Sequence, residues 1–241
     1  MNLKNICDKN INSNKDIPRE VSLEILEFAE SGYKEIKTAE KVIKAFEKLG
    51  QKDIQSGIAI TGIRTTLDTG NPGPNIAVIG ELDGLPVPGH PHENQENGMA
   101  HACGHHAQIG SMLTVLTGLS DKKILDNISG KITFFAVPAE EFVEIQWRNE
   151  LRKSGDIEFL GGKQEMIRLG AFDDVDIAMM THTTPRKIKF SYGGTDNGLV
   201  AKFIEFKGIA SHAGASPESG INALNAANIA ISAINSQRET F

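Results

Sequence analysis

Cysteine is scarce in this chain, basic charge is in deficit and no long apolar run is present. The two cysteines, Cys7 and Cys103, lie far apart in a 241-residue sequence whose start carries no secretion signal. A structural disulfide is therefore not expected, and each thiol needs another reading. Lys and Arg number 25 against 31 Asp and Glu, a net charge of −6. That leaves no basic face for nucleic-acid phosphates or anionic lipid, so neither partner is expected. No stretch approaches the roughly 18 consecutive apolar residues that cross a bilayer, and the first residues lack the apolar core of a signal peptide. The expected location is cytoplasmic. The Asn-rich opening is polar, so residues 1–16 read as a flexible terminus in which Cys7 is incidental.

What is present is the composition of a packed globular chain, 39% apolar with 24 Gly, enough for one large domain or for one domain and part of a second. Asp16 and Pro18 are helix-start signals, and Val21, Ile25, Leu26 and Phe28 form an apolar stripe after them. Val42, Ile43, Phe46 and Leu49 form another, stopped by Gly50. Strand-like runs follow at 57–63, 76–80, 132–137 and 177–181, with a helical pattern at Ile109, Met112, Leu113, Leu116 and Leu119 between the second and third. Strands alternating with helices predict an α/β domain with a twisted, mostly parallel sheet over 17–186. From Lys187 the alternation of Ile188, Phe190 and Tyr192, a Gly193-Gly194 turn and an apolar run to Phe206 predict an antiparallel hairpin. A helix over 222–241 would follow it, the start of a second domain over 187–241.

Chemistry-bearing residues gather at four predicted strand or helix ends. Cys103 and His105 in His-Ala-Cys-Gly-His-His pair a soft sulfur with an imidazole two residues on, a set suited to zinc or another late divalent ion. Taken alone, a buried Cys beside surface histidines would explain the pair as well. Glu140 and Glu141 close a buried run, at the sheet edge where α/β folds bind ligands. Neighbouring side chains on extended backbone diverge, so one of the two could bind metal while the other accepts a proton from water. His182 ends the next run and Asp83 an earlier one, each of which by itself reads as a structural histidine or a turn acid. Four such ends within about a hundred residues favour a shared metal site.

In this order the motifs ELDGLP, GMAHACGHHAQIG, FFAVPAEE, MTHTTP and GIASHAGASPESGINAL resemble the M20 family of metallopeptidases and amidohydrolases, over residues 17 to 241. The likeness is to the branch of N-acyl-amino-acid amidohydrolases, auxin-conjugate hydrolases and aminobenzoyl-glutamate hydrolases. The resemblance implies an α/β catalytic domain carrying an inserted α/β lid that dimerises, with one or two divalent metals: zinc or manganese foremost, cobalt or nickel as further options. Matched position by position, it implies Cys103, His105, Glu141 and His182 as metal ligands, Glu140 as general base and Asp83 as the supporting acid. His212 matches the lid histidine that helps polarise the substrate carbonyl. The implied substrates are N-acyl amino acids or dipeptide-like conjugates, and the implied assembly is a homodimer through the lid.

Three departures accompany the likeness. His106 stands where the family usually has an acid and Gln108 where it has a histidine. Glu141 and His182 are 41 residues apart, a long interval that contains Trp147, Arg148 and Arg152. The family's remaining lid strands and returning catalytic segment do not follow, so the chain reads as a fragment, with a truncated, non-catalytic metal-binding or regulatory remnant of the same scaffold as the alternative function.

Overall fold

The computed structural model describes residues 2–184, 187, 190–193, 198, 200, 202 and 204–240. Three helices come first, α1 (Leu3–Asn14), α2 (Asp16–Leu26) and α3 (Ile36–Lys48), followed by strands β1 (Ile54–Ile58), β2 (Gly62–Asp68) and β3 (Asn75–Glu81). The short β4 (Leu85–Pro86) and β5 (Met99–Ala100) lead into α4 (His105–Leu119), α5 (Lys122–Leu125) and β6 (Lys131–Val137). Then come α6 (Ile145–Ser154), α7 (Gly162–Arg168), β7 (Ile177–Met180) and, much later, α8 (Ala223–Asn235). The chain divides into two compact units, Met1–Arg186 and Lys187–Phe241.

The first unit is built on a five-stranded sheet of order β1-β2-β6-β3-β7. Its β6, β3 and β7 run parallel, while β1 and β2 are antiparallel at the other edge. β6 is covered on both faces, so it reads as an unbroken apolar run rather than an alternation. Its side chains still divide by parity. Ile132, Phe134 and Ala136 pack with Val21, Ile25, Val42, Phe46 and the α4 residues Ile109, Met112, Leu113 and Leu116. Phe135 and Val137 join Ala77, Ile79, Tyr33, Ile157 and Met166 in a separate cluster on the opposite face. Phe135 stacks on Phe172 with ring centroids 4.1 Å apart.

Two expectations are corrected here. Residues 57–63 are not one strand: β1 ends at Ile58, the chain reverses through Ala59 and Ile60, both at positive φ, and β2 leaves in the antiparallel direction. The reversal lacks the Gly and Asn residues that announce such turns, and the polar Arg64-Thr65-Thr66 stretch hides the second strand. The N-terminal residues are not a loose tail either. They form α1, which packs on α4: Cys7 and Ile11 crowd Gly118, whose carbonyl lies 3.4 Å from the Asn10 amide nitrogen. The few apolar residues of this segment recur at helical spacing and share one face, which composition alone obscures.

Buried Glu35, just ahead of α3, ties separate parts of the unit together. Thr61 Oγ1 donates to its Oε2 over 2.6 Å and the Ala139 N–H donates to its Oε1 over 2.7 Å. Burial, and then the charge of Asp83, push its carboxyl up to about 8.

In the second unit, Ile209 and Ile221 form an antiparallel bridge. Asn222 caps α8 by accepting from the Asn225 N–H. The predicted hairpin over 187–206 rests on Ile188, Gly194 and Leu199, which lie outside the described residues. No described helix is long and apolar enough to cross a membrane.

Phe46 is fully buried against the sheet. Phe46→Ala should lower stability by about 3–5 kcal/mol in urea unfolding. Glu35 holds its proton more tightly folded than unfolded, so its stabilising contribution is complete below the ordinary glutamate range and is lost as pH rises toward about 8. Glu35→Gln keeps an acceptor for the Ala139 amide, and its melting temperature should fall less between pH 5 and 8 than that of the parent.

Candidate metal centre

The parallel strands β3 and β6 end level with each other, Glu81 opposite Val137, so their following residues leave from one edge of the sheet. β3 delivers Glu81 and then Asp83; β6 delivers Glu140 and Glu141; β7, on the far side of β3, delivers His182. α4 starts beneath this edge with His105 in its first turn. The entry to α4 depends on Gly104, at φ +92, where a side chain would also collide with Thr183 Oγ1. That Thr183 hydroxyl donates to the Cys103 carbonyl over 2.9 Å and so ties the cysteine loop to the β7 end.

Both imidazoles are oriented by backbone carbonyls. His105 Nδ1 lies 2.7 Å from the Asp83 carbonyl oxygen, and His182 Nδ1 lies 2.7 Å from that of Thr183. A carbonyl only accepts, so each Nδ1 carries a proton, and in the neutral ring each Nε2 is left with its lone pair. His182 Nε2 sits 3.3 Å from Cys103 Sγ. His105 Nε2 is 3.0 Å from Glu81 Oε2 and 3.7 Å from Glu140 Oε2. Although so close, His105 Nε2 and Glu81 Oε2 are buried and neither makes a hydrogen bond of acceptable geometry.

Ligand atoms of Cys103, His105 and His182 fall within 4.8 Å of one another, as do those of Glu81, His105 and Glu140. His105 belongs to both groups. Buried polar atoms without hydrogen bonds and a sulfur-nitrogen-carboxylate donor set fit a divalent cation, which would displace the protons that Cys103 and His105 otherwise hold. Glu141 is in neither group: its N–H donates to Asp83 Oδ2 over 2.9 Å, and its carboxylate acts on the Cys103 thiol.

The electrostatics follow from crowding acids in a poorly solvated place. Burial opposes the charge of Glu81, yet the adjoining His105 imidazole and the attraction of Lys163 hold it down at about 2. Burial likewise opposes charge on His105, but Asp83 and Glu81 outweigh it and raise the imidazole to about 11. Burial lifts the Cys103 thiol to about 11, with Glu141 adding to the effect. Glu140 is raised by burial and then by the charge of Glu81.

Several residues here carry no sequence-level assignment. Glu81 lies in the ELDGLP motif, where Asp83 is the residue assigned; its parity with the inward-facing Ile79 is the signal that would have found it. Lys163 reaches Glu81 from α7, inside the long interval. Gln108, one of the departures, accepts the Glu81 N–H at 2.9 Å and so fixes the end of β3. His106, the other, has its ring 5.7 Å from that of His101 and is pulled below the usual histidine range by burial and then by His92. His212, in the second unit, is exposed and accepts the Gly214 N–H at Nδ1, 3.1 Å away.

Known proteins resemble this chain in sequence and in fold. The chain is 30% identical over 253 residues to indole-3-acetyl-aspartic acid hydrolase of Enterobacter agglomerans, covering 83% of this chain and 53% of that protein. It is 35% identical over 182 residues to one subunit of the p-aminobenzoyl-glutamate hydrolase of Escherichia coli K12, covering 69% and 37%. The chain thus spans about half the length, or less, of these curated relatives. Among solved structures, a dinuclear metal binding peptidase of the M20 family from Bacillus subtilis aligns with a TM-score of 0.53 at 22% identity, over 76% of this chain and 44% of that one. The profile of peptidase family M20/M25/M40 matches residues 77–217, more than half of the sequence, and the chain belongs to that family.

Proposed function

We propose that the protein is a metal-dependent amidohydrolase that cleaves the amide bond of N-acyl amino acids or related small conjugates. The observation that carries this reading is the convergence of Cys103, His105 and His182 within 4.8 Å, with Glu140 beside His105. The relatives named above are hydrolases of indole-3-acetyl-aspartic acid and p-aminobenzoyl-glutamate, which supports turnover over a purely metal-binding role.

In this reading Cys103, His105, His182 and Glu141 hold one or two divalent ions, zinc or manganese foremost, and Glu81 stands beside His105 as a further carboxylate. A bound divalent ion supplies Lewis acidity toward water and the amide carbonyl. The Asp83 carbonyl holds His105 in the tautomer that presents Nε2, an orienting contact of the kind that metal-binding histidines need. Glu140 is partly exposed, so water reaches it, and its raised pKa makes it a stronger proton acceptor than an ordinary carboxylate. It takes a proton from the attacking water and returns it to the leaving amine nitrogen. His212 serves as a hydrogen-bond donor to the substrate carbonyl, where one such donor contributes on the order of 3 kcal/mol. The second unit, with Leu224, Ile229, Ile231 and Ile234 of α8 exposed, is the dimerising lid. A reducing cytoplasm would keep Cys103 available as a ligand.

With zinc or manganese and a panel of N-acyl amino acids, the full-length protein should release free amine, followed by ninhydrin. Glu140→Gln should lower kcat by about 10²–10⁴ while metal content, measured by atomic absorption, stays at the parental level. Unchanged turnover in that variant would refute the assignment of the base. Cobalt substitution should produce a near-ultraviolet thiolate-to-metal absorption band that disappears in Cys103→Ser. A band that persists would remove Cys103 from the ligand set.

A further inference from the structure

Beneath the Pro138–Glu141 turn lies a buried cation that the chemistry above does not use. Arg148, on α6, has no solvent exposure and is among the largest fully buried side chains of the chain. Its Nη1 donates to the Leu160 carbonyl over 3.1 Å, its guanidinium carbon lies 5.5 Å from the centre of the Tyr33 ring, and Nη2 is 4.0 Å from Asp83 Oδ2. Nη2 and Nε have no hydrogen-bond partner among the described residues. The chain makes room for this group at Gly32, where a Cβ would run into the guanidinium and would also sit 2.6 Å from the Ala139 Cα.

Two buried carboxylates grip the turn on either side of Glu140. Glu35 accepts the Ala139 N–H and Asp83 accepts the Glu141 N–H. Ala139 itself has φ +51, a left-handed conformation that a residue with a Cβ adopts at a cost and keeps only when its surroundings impose it. Its carbonyl is held as well, by the Gly162 N–H at 3.1 Å. Burial and the charge of Asp83 keep the Glu35 carboxyl protonated through most of the neutral range, so Asp83 is the charged acid under the turn, and Arg148 is a positive charge set against it. An apolar side chain of similar volume could fill the same space, often with no loss of stability, so packing does not account for a guanidinium here. Lysine would not replace it either, because the planar fork meets a carbonyl, a ring face and a carboxylate at once.

We propose that Arg148 is a positioning residue: its buried charge holds Asp83 on the Glu141 amide and its guanidinium packs at Gly32 beside the left-handed Ala139, which together set the directions in which Glu140 and Glu141 leave the chain. This rests on the roles given to those glutamates above. It also gives a purpose to α6, part of the long interval between Glu141 and His182.

The test uses the full-length protein with Arg148→Met and Arg148→Lys, reading cobalt affinity from the absorption of the bound ion, kcat and KM separately, and the melting temperature. Arg148→Met should bind cobalt about tenfold more weakly or worse. Its kcat should fall by about 100-fold, as expected when reacting groups are displaced by about 1 Å, with KM moving far less. Arg148→Lys should recover part of the cobalt affinity. If Arg148→Met melts earlier but, below its melting temperature, binds cobalt and turns over like the parent, Arg148 is structural only and the proposal fails. Should Arg148→Met not fold, Arg148→Lys carries the same measurements: cobalt affinity about tenfold weaker supports the proposal, and parental values overturn it. Absence of turnover in the unsubstituted protein would sink the hydrolase reading, whereas the cobalt comparison would still decide the role of Arg148.

Discussion

Four carboxylates, Glu81, Asp83, Glu140 and Glu141, leave the carboxyl ends of two adjacent parallel strands, and the site depends on how their repulsion is offset. Glu81 and Asp83 are almost wholly buried, so water contributes little to the compensation. The protein supplies it from three sides: Lys163 of α7 on Glu81, His105 of α4 between Glu81 and Asp83, and Arg148 of α6 facing Asp83. A divalent cation is the remaining charge that such a cluster accommodates, which is why the donor chemistry and the electrostatics point to the same ligand.

The same balance accounts for two of the departures from the commoner family pattern. Gln108 replaces an ionisable residue with a neutral acceptor that holds the Glu81 backbone, and it adds no charge next to His105. The long interval after Glu141 is not a loose insertion. It folds into α6 and α7, covers the second face of the sheet through Ile157 and Met166, and brings both Arg148 and Lys163 to the acids. Packing and electrostatics are therefore supplied by the same segment.

Much of the fold can be read along the chain because its central elements carry strong local signals. β6 is apolar on both faces, α4 repeats apolar residues at helical spacing, and the helices at 16–26 and 36–48 have clear stripes. The β1–β2 hairpin and α1 are obscured. The first turns through Ala59 and Ile60 at positive φ, which no turn motif announces, and the second is held by a narrow apolar edge within a polar segment. α6 carries little helix signal, since its mean composition is polar and its one fully buried side chain is an arginine.

Residue identity and order alone determined the family, the run of strand-end motifs and the candidate donors Cys103, His105, Glu140, Glu141 and His182, because each is written in a short stretch that local chemistry can interpret. Tertiary structure alone decided that Glu81 shares His105 with Glu140, that Glu141 is fixed through its backbone by Asp83, that Glu35 accepts the Ala139 amide and that Arg148 faces Asp83. Asp83 and Glu141 are 58 residues apart, and Glu35 and Ala139 are 104 apart. Charge compensation in a buried space depends on distance through the fold rather than along the chain.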